Sequence, residues 1–333
     1  MDPERAHQAA GCALRIPLAW KALWPMSMAR SERLTVNFSG LTFPTPIGVA
    51  AGLDKDCKFL SGLLDLGFGF ATGGTVTLGP RPGNPKPRML RLKQSGAIIN
   101  ALGFPGAGLE PARKRLSRLG SCRRRVMVSI SGTIEDEVAE CHRAIKALVA
   151  GVEVNISSPN TSGLRVFHEP GRLRGLVELI ASEKSVPIFV KMPPWSREAE
   201  SRREALRLAE TAVDAGADGL VVANTHPVED ARLAIGRGGL SGAPLTESTL
   251  RMVAEAKAAV GGGGAAVIAC GGISSAEHAW RLLSAGASAL QLYTAFVYEG
   301  PGLPGRINRG LLKLMDRAGV RTVAEIAGEP FPG

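Results

Sequence analysis

Short apolar runs alternate with longer amphipathic stretches along most of the chain. A short apolar run is typical of a buried strand, whereas apolar residues three and four apart are typical of a helix with one buried face. Glycine follows several helical stretches, as at Ala215-Gly216 and Ala285-Gly286, where a helix end often needs a left-handed residue. The apolar runs predict eight strands, near residues 46–50, 69–74, 126–131, 152–156, 187–192, 218–224, 266–271 and 289–293.

Eight strands that alternate with helices predict parallel strand pairing, and therefore an α/β fold of the (β/α)8 TIM-barrel type. A doubly wound sheet is the weaker alternative, because no GxGxxG motif follows the first strand. TIM barrels carry their functional residues at the carboxyl ends of the strands. We therefore expect the site on one rim of the barrel.

The N-terminal segment 1–33 differs from the repeating part and predicts a separate helical extension before a barrel domain at 34–333. Two short helical patterns lie near 3–13 and 17–29, and the second contains Trp20 and Trp24. The extension is either an amphipathic element at a membrane interface or a cap on one end of the barrel. Alternating residues between 35 and 45 predict a small hairpin that closes the bottom of the barrel.

Composition indicates the cellular compartment of the protein and the classes of partner that it can have. The chain carries a net charge of +10, but its basic residues are interspersed with acidic ones and no nucleic-acid motif is present. Five scattered cysteines without a CxxC pair predict a reducing compartment, the cytoplasm, and no zinc or iron–sulfur site. No apolar run approaches the length of a membrane span.

The stretch 151–165 is where the predicted chemistry is concentrated. A short strand ends at Ile156 and runs into turn-forming residues that include Pro159 and Gly163. The strand end thus brings the amides Asn155 and Asn160 together with several hydroxyls. Amides both donate and accept hydrogen bonds, which suits a planar ligand with alternating NH and C=O groups.

Other predicted strand ends supply polar residues to the same rim. Lys191 ends an apolar strand, where a buried lysine is costly unless it meets an anion. Gly271-Gly272 separates a strand from a helix start, a junction whose backbone amides can hold phosphate, and Gly242 could close the same pocket. The remaining strand-end residues are Lys55, Thr75, Ser129, Ser158, Asn224, Thr225, Tyr293 and Thr294. The histidines show no metal-ligand spacing, so the set favours a phosphorylated organic cofactor and a small polar substrate.

An ordered set of motifs resembles the dihydroorotate dehydrogenase family over nearly the whole chain. The motifs are DPERAH at 2–7, AAGLDKD at 50–56, GTVT at 74–77, PRPGN at 80–84, KPR at 86–88, INALGF at 99–104, NISSPNT at 155–161, GGLSG at 238–242 and GGI at 271–273. The NISSPNT motif has serine where the cytosolic class of this family has cysteine, and in this respect it resembles the quinone-linked class 2. The resemblance implies oxidation of dihydroorotate to orotate in pyrimidine biosynthesis, with FMN as cofactor and a quinone as electron acceptor.

The resemblance also implies roles for matching positions. Ser158 is the implied base at C5 of dihydroorotate, aided by Thr161 and a water near Phe104. The implied substrate-binding residues are Lys55, Asn100, Gly103, Phe104, Asn155, Asn160, Asn224 and Thr225. The implied cofactor-binding residues are Ala51, Gly52, Thr75, Ser129, Asn155, Lys191, Ala223, Gly242, Gly271, Gly272, Tyr293 and Thr294. His7, Arg91 and Tyr293 match positions at a quinone tunnel, and residues 162–175 match a lid.

Three positions depart from the family pattern, and each departure removes a hydrogen-bonding side chain. Ser129 and Ala223 stand where Asn and Thr are usual beside the flavin, and Pro105 stands where Asn commonly follows Phe104. The N-terminal extension is also shorter than is usual in class 2, where it docks on the membrane. The resemblance places the protein peripherally at the cytoplasmic side of the cell membrane. Two alternatives stay open: a soluble flavin dehydrogenase using fumarate or NAD, and a non-catalytic barrel that binds FMN or a pyrimidine.

Overall fold

A computed structural model describes residues 3–16, 29, 31–157 and 163–333. Eight parallel strands form a closed barrel, which confirms the predicted fold class. In chain order they are β3 (Ile47–Val49), β4 (Phe70–Val76), β7 (Val126–Ile130), β8 (Gly151–Asn155), β9 (Ile188–Lys191), β10 (Gly219–Val222), β13 (Ala266–Cys270) and β14 (Ala289–Leu292). Each strand pairs with the next in the chain, and β14 pairs with β3 to close the ring. All eight lie at the predicted positions.

Apart from the first, which precedes the barrel, the described helices follow the barrel strands and surround them. They are α1 (Pro3–Leu14), α2 (Leu60–Asp65), α3 (Leu109–Leu116), α4 (Glu135–Ile145), α5 (Pro170–Ala181), α6 (Ala199–Asp214), α7 (Thr246–Val260), α8 (Ala276–Ser284), α9 (Thr294–Glu299) and α10 (Leu303–Ala318). Of the two helical patterns in the N-terminal extension, the first is α1, and the second lies outside the described residues. Among the helices that are described, none is long and apolar enough to cross a membrane.

The predicted hairpin is β1 (Val36–Phe38) and β2 (Leu41–Phe43), and it closes the bottom of the barrel. The Phe43 ring stacks on Phe70 at a centroid distance of 4.6 Å, and Phe38 meets Phe189 edge-on at 6.0 Å. The Ser39 hydroxyl donates to the carbonyl of Asp218, just before β10 begins. Aromatic side chains therefore fill the amino-terminal end of the barrel and exclude water from it.

A second sheet, which the sequence pattern does not predict, covers part of the opposite rim. Its four antiparallel strands are β5 (Met89–Leu92), β6 (Ala97–Asn100), β11 (His226–Glu229) and β12 (Arg237–Gly242), in the order β11-β12-β6-β5. The chain leaves the barrel after β4 to form β5 and β6, and again after β10 to form β11 and β12; these two segments are the excursions. Although they are far apart in the sequence, Asn100 of β6 lies opposite Gly239 of β12. This pairing places the INALGF and GGLSG motifs side by side above the barrel.

Helix α1 lies outside the barrel, where it packs against α2 and against the excursion that contains β5. Glu4 forms a two-pronged ion pair with Arg88, with Nε–Oε1 and Nη2–Oε2 distances of 2.9 and 3.1 Å. At the other end of α1, a Cβ on Gly62 would lie 2.0 Å from the backbone oxygen of Leu14, so the two helices meet where α2 has no side chain. Helix α1 thus lies beside the rim that carries the polar motifs.

Candidate functional site

A cavity of about 260 Å³ opens at the carboxyl ends of the barrel strands, beneath the excursion sheet. Most of the sequence-predicted residues line it: Ala51, Gly52, Lys55, Thr75, Asn100, Gly103, Phe104, Asn155, Lys191, Ala223, Asn224, Thr225, Gly242, Gly271, Gly272, Tyr293 and Thr294. They come from most of the barrel strands and from the excursions, which explains why they are scattered along the sequence. The three residues Ser158, Asn160 and Thr161 lie outside the described part of the chain, immediately after Ser157.

Asn155 is the centre of an amide network at the end of β8. Its Oδ1 accepts from the backbone NH of Ser157 at 3.2 Å and from Asn224 Nδ2 at 3.3 Å. Its Nδ2 donates to Thr75 Oγ1 at 3.3 Å. Asn224 Nδ2 also reaches Ser157 Oγ at 3.0 Å. Two amides from the ends of β8 and β10, which flank β9 in the barrel, are therefore held at fixed orientations.

Ser129 is the one described cofactor-binding candidate that does not line the cavity. It is fully buried in β7, and its hydroxyl lies 3.0 Å from Thr75 Oγ1. Thr75 in turn lines the cavity and accepts from Asn155. Serine at this position therefore acts through Thr75, since its short side chain does not reach the cavity itself.

Lys191 ends β9 and points into the barrel, where its side chain is 6% exposed. Burial opposes its charge, but a polar contact with the Cys270 sulfur and the nearby Glu153 carboxylate outweigh burial, so the pKa of Lys191 is raised. Burial raises the pKa of the Cys270 thiol, which is therefore neutral near pH 7. The anion that Lys191 faces is thus Glu153, whose Oε1 lies 3.5 Å from its Nζ.

Glu153 and Gln291 are buried polar residues that the sequence analysis did not select. Both side chains are fully buried. Gln291 Nε2 donates to Thr72 Oγ1 at 3.0 Å and to Glu153 Oε2 at 3.3 Å, and Gln291 itself lines the cavity floor. A signal was present: Glu153 is two residues before Asn155 in the same strand, and side chains two apart point to the same face.

Lys55 follows β3 and faces the cavity from the side of α1. Its ammonium donates to the carbonyl of Gly52 at 2.8 Å. Burial lowers the pKa of Lys55 to about 8, and the nearby Arg88 cation acts in the same direction. A carboxylate ligand would raise this pKa again, because it would stabilise the ammonium.

The glycine pair after β13 makes a close backbone junction with the start of α7. A Cβ on Gly272 would lie 2.4 Å from the backbone nitrogen of Thr246, and its φ of +70° is one that other residues rarely adopt. Thr246 Oγ1 donates to the Gly272 carbonyl at 2.8 Å. Gly242, with a φ of +105°, closes the same corner. Two backbone turns and a helix N-terminus therefore meet at one edge of the cavity, an arrangement suited to a phosphate group.

Phe104 lines the cavity with a φ of +57°, a left-handed conformation that is uncommon for an aromatic residue. Such backbone conformations concentrate at functional sites, where the surrounding structure holds them in place. The adjacent Gly103 packs against the Asn84 side chain. The loop 101–105 therefore presents Phe104 to the cavity in a fixed geometry.

The three predicted tunnel residues lie on different elements around the side of the cavity that faces α1. His7, on α1, has its ring 6.4 Å from that of Phe59, and burial lowers its pKa to about 4. Arg91, on β5, and Tyr293, at the end of β14, are electrostatic neighbours; burial raises the pKa of Tyr293 to about 12. A neutral histidine and a protonated tyrosine are therefore expected at neutral pH.

Comparison with known proteins gives a consistent result over nearly the full length. The family model described as "Dihydroorotate dehydrogenase" matches residues 33–315. A protein named "Dihydroorotate dehydrogenase (quinone)" from Erythrobacter litoralis is 36% identical, covering 98% of this chain and 96% of that one. One of the same name from Rhizobium leguminosarum is 40% identical, covering 98% and 92%. The crystal structure of the DHODH from Eimeria tenella in complex with ferulenol is 32% identical with a TM-score of 0.86, covering 99% and 96%.

Proposed function

The chain belongs to the dihydroorotate dehydrogenase family, and from this premise we propose that it oxidises dihydroorotate to orotate with FMN as cofactor and a quinone as electron acceptor. Members of this family are flavin-dependent. The observation that carries the proposal is a single cavity that combines an amide network, two lysines and a glycine-lined corner. The reaction is a step of de novo pyrimidine biosynthesis.

The residues of the cavity fit FMN at two separate places. The junction of Gly242, Gly271 and Gly272 with the start of α7 has no room for side chains and presents backbone amides to a phosphate. On the cavity floor, Lys191 supplies a cation for the electron-rich edge of the flavin ring, and Gln291 Oε1, without a hydrogen-bond partner among the described residues, supplies an acceptor. When bound, FMN accepts the hydride from C6 of the substrate. The other proposed contacts are Ala51, Gly52, Thr75, Ala223, Tyr293 and Thr294, with Ser129 acting behind Thr75.

The substrate is a small planar ring with a carboxylate, and the proposed contacts match both parts. Lys55 pairs with the carboxylate, while the amides of Asn100, Asn155 and Asn224 bind the ring NH and C=O groups. Thr225, Gly103 and Phe104 complete the wall, and Asn160 completes the amide set. Because Asn155 and Asn224 already hold each other in place, little side-chain freedom is lost when the ring binds.

The proton at C5 is assigned to Ser158, which removes it while the hydride leaves C6. A serine hydroxyl is a weak base, so the proton must pass on through Thr161 and a water beside Phe104. These residues follow directly after the end of β8, where Ser157 is tied to Asn155 and Asn224. Ser158 follows Ser157 directly in the sequence, which supports a base close to the amides that would orient the ring.

The direct test is spectroscopic and starts from the purified protein. Dihydroorotate is added without oxygen, followed by a quinone, fumarate or NAD in separate samples. We expect a flavin spectrum that bleaches with dihydroorotate and recovers with the quinone alone. Recovery with fumarate or NAD would favour the soluble dehydrogenase, and a colourless protein that FMN cannot reconstitute would favour the non-catalytic barrel.

The base is tested with Ser158→Ala, which removes the hydroxyl and leaves the cavity floor intact. We expect turnover to fall by about 100-fold or more, the usual contribution of a positioned base, with the flavin spectrum retained. The matched control is Ser117→Ala, an exposed serine on the outer surface after α3. Unchanged turnover in the Ser158 variant would disprove the assignment.

We propose peripheral membrane contact through the N-terminal extension, because a quinone partitions into lipid and α1, which carries His7, lies beside β5 and Lys55 on the flank of the cavity. Glu4 and Arg88 hold α1 in this position. The measurement is flotation with vesicles of phosphatidylcholine and phosphatidylglycerol. We expect Trp20→Ser together with Trp24→Ser to release the protein from vesicles, while turnover with a water-soluble quinone analogue persists.

A further inference from the structure

Lys191 forms an ion pair with one residue beneath the cavity. Glu153 is fully buried in β8 and does not line the cavity, yet its Oε1 lies 3.5 Å from Lys191 Nζ. The two side chains come from neighbouring strands, since Asn155 is the β-sheet partner of Lys191 and Glu153 lies two residues deeper on the same face. Lys191 is thus placed between the cavity above and a carboxylate below.

The groups that face this pair leave Glu153 as the counter-charge. Cys270 approaches Lys191 from β13 as a neutral thiol. Gln291 from β14 holds Glu153 Oε2 through its Nε2 and is itself held by Thr72 from β4. Among the described residues, Glu153 is the acidic side chain that forms an ion pair with Lys191.

We propose that Glu153 is a positioning residue that keeps Lys191 protonated and aimed at the cavity, and that it thereby lowers the reduction potential of the bound flavin. The second half of this inference rests on the proposed function. Gln291 takes part by fixing the carboxylate, because it bonds one oxygen and leaves the other to the lysine.

The physical reason is the low dielectric of the barrel interior. Reduction places negative charge on the flavin ring, which an unpaired ammonium would stabilise strongly and a neutralised pair stabilises less. A buried lysine without a partner also loses its proton more readily, because desolvation lowers its pKa. Glu153 therefore moderates the field at the flavin and prevents Lys191 from titrating near neutral pH.

Glu153→Gln tests this, because glutamine keeps the shape and removes the charge. At pH 6, where Lys191 keeps its proton, we expect the flavin reduction equilibrium to shift by tenfold or more toward the reduced form, or ~30 mV for a two-electron couple. At pH 9 the shift declines, because the unpaired lysine loses its proton. Glu140→Gln, an exposed charge on α4, is the control and leaves the potential unchanged.

A second readout follows the amine of Lys191 by NMR titration of labelled lysine, with Lys191→Met identifying its signal. We expect a lower pKa in Glu153→Gln and an intermediate value in Glu153→Asp, which keeps the charge and withdraws it by one methylene. An unaltered Lys191 titration, or an unaltered potential at both pH values, would overturn the inference. If the wild-type protein binds no flavin, the proposed function fails, and this titration still decides whether Glu153 controls Lys191.

Discussion

The two ends of the barrel use the same eight strands for opposite purposes. At the amino-terminal end, Phe38, Phe43, Phe70 and Phe189 pack ring against ring and leave no room for water. At the carboxyl-terminal end, inward positions carry Glu153, Lys191 and Gln291, joined by a hydrogen bond and an ion pair, and Asn155, which is hydrogen-bonded to Thr75 and Asn224. Burial of apolar rings at the amino-terminal, or lower, end stabilises the fold directly. Burial of polar side chains at the carboxyl-terminal, or upper, end costs free energy unless each polar group finds a partner.

This difference explains why function is confined to one rim. A polar network of this kind holds charged groups and amides in fixed orientations. A ligand can therefore bind to them without the free-energy cost of ordering them first. The lower end instead fills the barrel with aromatic rings, and its rigidity supports the strands that carry the polar groups. Substitutions at the lower end should therefore change the stability of the fold, and substitutions at the upper end should change ligand binding or turnover.

The largest expected effect is on stability, from Phe43→Ala at the lower end. Phe43 is fully buried and stacked on Phe70, so we expect a loss of about 3–5 kcal/mol in the free energy of unfolding. Denaturant unfolding measures it, and Phe331→Ala is the control because Phe331 is 41% exposed. Equal losses in both variants would show that the aromatic cluster does not support the barrel.

Gly272→Ala should affect the upper end instead. The added methyl would meet the backbone nitrogen of Thr246 at 2.4 Å and strain a left-handed residue. We expect FMN to bind at least about tenfold more weakly, since each 1.4 kcal/mol of strain is a factor of ten. Fluorescence titration of released flavin measures the affinity.

The control for this change is Gly262→Ala, in a glycine-rich loop where a methyl meets nothing within 4 Å. The control should retain wild-type affinity. Normal FMN binding in Gly272→Ala would mean that the phosphate lies elsewhere.

The smallest expected effect is a pH dependence from Lys55. Its pKa of about 8 means that the ammonium is present below pH 8 and is lost above it in the free protein. The KM for dihydroorotate should therefore rise by roughly eightfold between pH 7.5 and pH 9, because the carboxylate loses its partner. Steady-state kinetics across this range measure the rise.

Lys55→Arg sharpens the same test, because arginine keeps its charge throughout the range. Its KM should be less favourable at pH 7.5 and nearly independent of pH. A wild-type KM that does not change between pH 7.5 and pH 9 would remove Lys55 from the carboxylate site.

The strand-end residues were predictable because a repeating strand–helix pattern assigns each polar residue to one rim. Asn155, Lys191 and Gly272 all end or follow strands found from apolar runs alone. For Glu153, the alternation within β8 indicates the face on which it lies, but it does not indicate that its partner is Lys191 on the next strand. Ser129 illustrates the reverse case: its position was predicted, but only the packing shows that Thr75 stands between it and the cavity.

The sequence by itself determined the eight-strand barrel, the closing hairpin and the set of residues at the upper rim, because each depends on local periodicity and turn chemistry. Only the tertiary structure decided the excursion sheet, where Asn100 meets Gly239, and the pairing of Glu153 with Lys191. Both join residues from separate parts of the chain. Such contacts depend on strand register and on which buried charges can neutralise each other, and neither quantity is encoded in any short stretch of sequence.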